Sequence, residues 1–400
     1  MKFKMKKLLA IVLAISMIAC LAVFFTACGA KENKEFKVGL ICLHDDSSTY
    51  DANFINAFND SIEKLNKEGY KITKIVKTNI DENNDCYEAA ADLVDQGCKV
   101  VFADSFGHEP YMIKAAKEFK DVTFCHATGT NAHTENLDNF VNAFASIYEG
   151  RYLAGVAAGM KLAAMKAADN TVSSKIGYVG AFPYAEVVSG YTSFYLGVKS
   201  IVSDVTMEVK YTNSWYLPTA EQEAADTLIS RGAVLISQHA DSMGAPNACE
   251  SKNVPNVTYN ISTKKNAPNT YIIASRINWS PYYEYVIKAV AKGEKIDKDY
   301  VGTLATGSVE TLELGTAAAA GTEAKLAEVK AKIENGTLKI FDTNNFTVDG
   351  EKVTTYKADV DSDEEYTGDT EVIINGVFEE SKFRSAPYFD LRIDGITELK

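Results

Sequence analysis

Short apolar runs of strand length alternate with stretches of helical periodicity from Lys37 onward, and the series starts afresh at Lys175. The first start is Lys37-Val38-Gly39-Leu40-Ile41-Cys42-Leu43, followed by a polar loop from His44 to Thr49 and a helical face carrying Phe54, Phe58, Ile62 and Leu65. The second is Lys175-Ile176-Gly177-Tyr178-Val179-Gly180-Ala181, a loop at Pro183-Tyr184, and a helix with Val187, Tyr191, Phe194, Tyr195 and Val198. After the first start the spacing predicts helices over 86–96 and 109–119 and strands over 99–103 and 122–126. After the second it predicts strands over 207–211, 233–238 and 256–260, with helices over 219–230 and 245–252. Parallel strands need a crossover, and helices at this spacing supply it, so each half reads as an α/β unit around a parallel sheet.

About 370 residues remain once an amino-terminal leader is set aside, more than one hydrophobic core usually spans, so two lobes are expected. Lobe one is expected over 36–146 and about 271–320, and lobe two over 147–270. The segment 321–400 either completes the lobes or extends them, with turns marked by Val348-Asp349-Gly350 and Ile374-Asn375-Gly376. The apolar strand Tyr271 to Ile277 and the helix over 281–291 exceed what a five-strand second lobe requires, and they are assigned back to lobe one. Connections that cross between lobes make a hinge, and they set the carboxyl ends of both sheets face to face across a cleft.

Lys2, Lys4, Lys6 and Lys7 followed by the apolar run from Leu8 to Phe25 make an export leader over 1–27. Its end, Phe25-Thr26-Ala27-Cys28-Gly29, resembles a bacterial lipoprotein signal, with Phe25 where leucine is usual. That resemblance implies cleavage before Cys28, lipidation of its thiol, and a tether over 28–35. An uncleaved anchor, or cleavage near Ala19-Cys20, remains open, and either also places the fold outside the cell. Loss of the four leader lysines leaves 37 basic residues against 54 acidic ones, a net charge of −17, which disfavours nucleic acid as a partner. Cysteines 42, 86, 98, 125 and 249 are odd in number, lack CxxC spacing and read as small core residues.

No Walker loop, HExxH, GxSxG or GxGxxG occurs, so the common marks of nucleotide, zinc-protease and hydrolase sites are missing, and no enzyme and no cofactor are expected. Histidines 44, 108, 126, 133 and 239 lack ligand spacing apart from Cys125-His126, and the acidic run 359–365 does not fit an EF-hand, so no metal is expected. The strand-end loops do combine rings with hydrogen-bonding groups: Tyr50-Asp51, Asp104-Ser105-Phe106, Tyr184, Trp215-Tyr216, His239 with Asp241, Asn260, and Arg276-Ile277-Asn278-Trp279. Each ring alone is more often core than contact. Together at strand ends they fit a planar heterocycle, stacked on its faces and read at its edges by carboxylates and amides.

Several of these segments also resemble the bacterial basic membrane protein family, whose best understood members are purine nucleoside receptor lipoproteins. The most specific match is Ile147-Tyr148-Glu149-Gly150-Arg151-Tyr152-Leu153-Ala154-Gly155, close to the family's helix between the lobes. The opening strand through Ser48-Thr49-Tyr50-Asp51 and the segment Thr212-Asn213-Ser214-Trp215 are two further anchors, and the resemblance runs to about Gly293. It implies a type I periplasmic-binding fold, two Rossmann-like α/β lobes with parallel sheets joined by a multi-strand hinge. It also implies that Tyr50 and Asp51 replace the family's stacking ring and its amide neighbour, with Trp215 closing the sandwich from lobe two. Gln238-His239-Ala240-Asp241 and Gly244 would lie near the sugar, Asn260 would replace a ribose-gripping aspartate, Arg276 would stand near a family lysine, and Asp104, or with an inserted residue Ser105 or Glu109, would meet the base edge.

The expected function is therefore an extracytoplasmic, lipid-anchored, monomeric substrate-binding protein of an ABC importer, delivering a nucleoside-like ligand to a membrane permease. Two alternatives stand beside it: a ligand-sensing ectodomain partner of a signalling system, which keeps the same fold, and an extracellular nucleoside hydrolase using the acidic loop Asp45, Asp46 and Asp51 to hold calcium.

Overall fold

The computed structural model describes residues 34–360 and 367–400. The leader 1–27, Cys28 and positions 361–365 of the acidic run lie outside the described residues.

The first half runs β1 (Glu35–Ile41), α1 (Thr49–Lys67), β2 (Lys71–Lys77), α2 (Asn84–Asp95), β3 (Cys98–Ala103), α3 (Glu109–Glu118), β4 (Thr123–Ala127), the short α4 (Ala132–Glu135) and β5 (Phe140–Ala145). A long helix, α5 (Ile147–Ala168), then leads into β6 (Lys175–Gly180), α6 (Ala185–Lys199), β7 (Thr206–Tyr211), α7 (Pro218–Ser230), β8 (Ile236–His239), α8 (Gly244–Lys252), β9 (Asn256–Tyr259) and β10 (Tyr271–Ile277). Next come α9 (Ser280–Lys292), β11 (Asp299–Gly302), β12 (Val309–Thr311) and α10 (Thr322–Glu334), and two small hairpins precede a last strand, Ile396–Leu399.

Two sheets result. The first has the order β11-β5-β4-β3-β1-β2, with every neighbour parallel. The second has the order β12-β10-β9-β8-β6-β7 with the last strand at its far edge, parallel except where β12 meets β10. Strands buried on both faces read as continuous apolar runs, as Val38-Gly39-Leu40-Ile41 does. The apolar stripe of α1 is spent as its spacing predicts: Phe54, Phe58, Ile62 and Leu65 are all buried, each contributing about 1.5–3 kcal/mol. The five cysteines within the described residues are free and buried.

One assignment needs correction. Strand 271–277 belongs to the second sheet, where Ile273, Ala274 and Ser275 pair with Val257, Thr258 and Tyr259, whereas the sequence reading placed it in lobe one. The following helix does return to lobe one: α9 lies on α1, with Trp279 stacked on Phe54 at 4.2 Å and Tyr283 edge-on to Phe58 at 5.1 Å. With β10 the second sheet reaches seven strands, and this strand packs against α5.

The chain therefore crosses between the sheets three times, at β5 to α5, at β10 to α9 and at β11 to β12. The helix motif found in the sequence sits on these crossings. The Glu149 carboxylate accepts from Leu304 N–H at 2.8 Å, tying the third crossing to the first. A Cβ at Gly155 would stand 2.1 Å from the Phe194 carbonyl oxygen, and one at Gly197 2.2 Å from that of Tyr152, so paired glycines let α5 and α6 touch backbone to backbone.

Candidate functional site

The carboxyl ends of β1, β3 and β4 face those of β6, β7, β8 and β9, and their loops enclose a cavity of about 410 Å³, mouth included. Lobe one contributes Leu43, His44, Tyr50, Asp51, Ser105, Phe106 and Thr128. Lobe two contributes Glu186, Trp215, His239, Asp241 and Tyr259.

On the first wall, Ser48 caps α1. Its hydroxyl donates to Asp51 Oδ2 at 2.6 Å and accepts from Asp51 N–H at 3.3 Å, a serine N-cap tied to the acid of the first turn. Asp51 Oδ1 accepts from His44 N–H at 2.8 Å, so this carboxylate shapes the loop it borders. Asp104, fully buried behind it, accepts from Leu43 N–H at 3.2 Å, and its carbonyl takes the Tyr50 hydroxyl at 2.8 Å, which fixes the Tyr50 ring. Burial first, and then the Asp51 charge, pushes the Asp104 carboxyl well above the usual range, and Cys42 beside it is raised by burial and then by the charges of Asp104 and Asp51. The sulfur and carboxylate oxygens of Cys42, Asp51 and Asp104 lie within 4.8 Å of one another. The buried thiol and the buried Asp104 carboxyl of this group both favour their protonated forms.

Buried acids also clamp the loops on both sides. Glu109 accepts from Thr130 N–H and Asn131 N–H, each at 2.8 Å, and so holds the Thr128–Thr130 loop in place. Across the cleft, Glu221 accepts from Leu217 N–H and Ser242 N–H, each at 3.1 Å, fixing the loops that carry Trp215 and Asp241. His239 is buried with Nε2 3.4 Å from Glu186 and its ring 4.6 Å from Tyr259, and burial lowers its pKa against the pull of Glu186, which favours the neutral imidazole. Gly190 makes room for it, since a Cβ there would stand 2.7 Å from Nδ1.

The lobes touch around the mouth. Thr49 N–H donates to the Asp241 carbonyl at 2.8 Å, His44 and Tyr216 approach at 5.5 Å, and Phe106 and Tyr184 at 6.1 Å. This is a closed cleft.

Of the residues expected from the sequence, Tyr50, Asp51, Trp215, His239 and Asp241 line this one cavity. Asp104 stands behind the wall and acts through Tyr50 and Leu43. Asn260 is buried with Nδ2 3.3 Å from Asp241 Oδ1, so it orients that acid. Arg276 is not brought to the cavity: antiparallel pairing sets it opposite Glu310, and its guanidinium is taken up there at 2.5 Å. Trp279, grouped with the strand-end rings, is core at 2% exposure. Glu186 and Tyr259 were missed. Glu186 opens α6 just after the Pro183-Tyr184 loop, a first-turn position that could have been singled out, whereas Tyr259 lies within an apolar strand and carries no such mark.

A family profile described as "ABC transporter substrate-binding protein PnrA-like" matches residues 38–343. Among curated proteins, a purine-binding protein of Brucella abortus (strain 2308) is 33% identical over 279 residues, covering 69% of this chain and 75% of that protein. A putative ABC transporter glucose-binding protein of Haloferax volcanii is 30% identical over 242 residues, covering 60% of this chain and 59% of that protein. Among solved structures, a solute-binding protein of an ABC transporter system from Conexibacter woesei superposes with a TM-score of 0.62 at 19% identity, over 76% of this chain and 98% of the other. That last likeness concerns the fold.

Proposed function

Since the chain belongs to the PnrA-like family of ABC transporter substrate-binding proteins, we propose that its interlobe cavity captures an unphosphorylated purine nucleoside or purine base for import. Members of this family are extracytoplasmic solute-binding components of ABC importers, without catalysis of their own, and the two-lobed architecture described above is the one such a carrier uses.

One observation carries the ligand reading. The cavity presents rings from both lobes, Tyr50 and Trp215, together with the carboxylates Asp51, Glu186 and Asp241, and no lysine or arginine lines it among the described residues. Opposed rings suit a flat heterocycle, and carboxylates accept from the exocyclic amines, ring N–H groups and hydroxyls of purines and their nucleosides. A phosphate would meet like charge with no counterion. The purine-binding Brucella relative supports the same choice.

The experiment is titration calorimetry of the purified protein against adenosine, guanosine, inosine, adenine, guanine, AMP and glucose. At least one purine base or nucleoside is expected to bind at micromolar strength or better, with AMP much weaker. Binding of glucose with no purine ligand would overturn the assignment and leave the fold untouched. Trp215→Ala is expected to cost about 2 kcal/mol of affinity, roughly thirtyfold, because it removes one face of the sandwich.

A further inference from the structure

A second hollow opens on the same cleft, sharing Phe106, Thr128, Glu186 and Trp215 with the first. Its remaining walls include Tyr184 and a stretch of the carboxyl-terminal segment, Arg384 with Ala386 and Pro387. That stretch lies beyond residue 343, where the family match stops. It is fixed from within, since Arg384 donates from Nη1 to the Asp359 carbonyl at 2.9 Å and from Nε to the Ala386 carbonyl at 3.3 Å.

The mouth of this hollow is aromatic. Phe106 and Tyr184 are each 47% exposed, two of the three large hydrophobic side chains left exposed among the described residues. They stand on opposite lobes with centroids 6.1 Å apart and planes 36° from parallel. Tyr184 stacks on Phe182 at 5.0 Å, Phe182 meets the edge of Trp215 at 5.2 Å, and Trp215 lines the inner slot. A shelf of rings thus runs unbroken from the inner slot to the mouth. A flat group between two rings needs roughly 7–8 Å from one to the other, so a slight parting of the mouth admits one.

We infer that the cleft is a two-compartment site whose ligand carries a second flat ring, an aryl substituent on a purine nucleoside, seated between Phe106 and Tyr184 while the purine fills the inner slot. This rests on the purine reading of the inner slot. Apolar surface left open at the rim of a ligand cavity is poorly used by a compact solute, and an aryl group removes it from water on both lobes at once.

The test compares adenosine with N6-benzyladenosine and 5′-O-benzyladenosine by calorimetry on the full chain, so that either direction of attachment can reach the mouth. At least one benzyl derivative is expected to bind about five- to tenfold more tightly than adenosine, the size of one aromatic pair. In Tyr184→Ala the ratio of derivative to parent affinity falls to about one, and in Ala386→Trp, which fills the outer hollow, it falls below one. If adenosine binds and both derivatives bind equally or more weakly, the second compartment is wrong while the purine reading stands. If none of the three binds and no other purine base or nucleoside binds either, the purine reading fails and takes this inference with it; if another purine nucleoside binds instead, its own benzyl derivatives take the place of adenosine's in the same comparison.

Discussion

Arg151 is a fully buried cation whose partners are carbonyls, hydroxyls and ring faces. Its guanidinium reaches the Tyr178 hydroxyl at 2.9 Å, Ser237 Oγ at 2.8 Å and the carbonyls of Thr258 and Gln238 at 3.2 Å, and it lies 5.2–5.5 Å from the centroids of Tyr178, Phe194 and Tyr259. One side chain thus joins α5 to β6, β8, β9 and β10 beneath the ligand slot. Arg151→Ala leaves those acceptors dry and opens a void, and it should cost roughly 3 kcal/mol or more, read as a lower urea midpoint at unchanged slope. A loss under about 1 kcal/mol would show that the network is ornamental. At this scale the sequence was legible where chemistry and position coincide. Tyr50 and Trp215 follow strands whose ends must face the cleft, so a ring there is conspicuous. Arg276 also follows that logic and is still elsewhere, because what disarms it is Glu310, thirty-four positions away on an antiparallel neighbour that no local pattern announces.

Among the elements, α5 carries the most consequence for motion. Its Glu149, bonded to Leu304 of the third crossing, has its pKa pushed up to about 7, chiefly by burial. A carboxyl whose folded pKa is raised contributes stability fully below its unfolded value, near 4.5, and loses it as pH climbs through 7. The wild-type melting temperature should therefore fall between pH 5 and pH 8 by on the order of 2–4 °C more than that of Glu149→Gln, which keeps an acceptor for Leu304 but cannot ionise. Glu380, likewise raised to about 7 by burial, acts equally in both proteins, so the difference between them is the readout. Identical slopes would refute the assignment. Element type was readable from periodicity over much of both halves, but the strands β2 and β5 were not assigned, and neither was the sheet that β10 joins. A run such as Tyr271-Ile272-Ile273-Ala274 is apolar on both faces and fits either sheet equally. The choice is made by contact with α5 and by pairing with β9.

For the whole molecule, closure sets carboxylates of one lobe against those of the other. Asp241 is raised well above its usual range by burial, then by Glu221, Asp51 and Glu186, and Asp51 belongs to the opposite lobe. The closed form therefore holds protons more tightly than an open one, and falling pH favours closing. In small-angle scattering the ligand-free protein should contract as pH drops from 8 to 5, and a purine nucleoside should produce the same contraction at pH 8. A radius of gyration indifferent to both would contradict a hinge worked by acids and rings. The carboxyl-terminal part completes this picture: Ile396–Leu399 extends the second sheet beside β7, and Arg384 to Pro387 flank the cleft, a placement that turn signals in the sequence did not foretell.

The rim contacts have a kinetic corollary. With Thr49 bonded to the Asp241 carbonyl and Phe106 leaning toward Tyr184, a captured molecule leaves past a rim that both lobes hold together. Chemically unlike cargoes should then share one ceiling on their escape rate, set by how often the jaws spring apart, and a transporter that pries them open would unload each of them at the same pace.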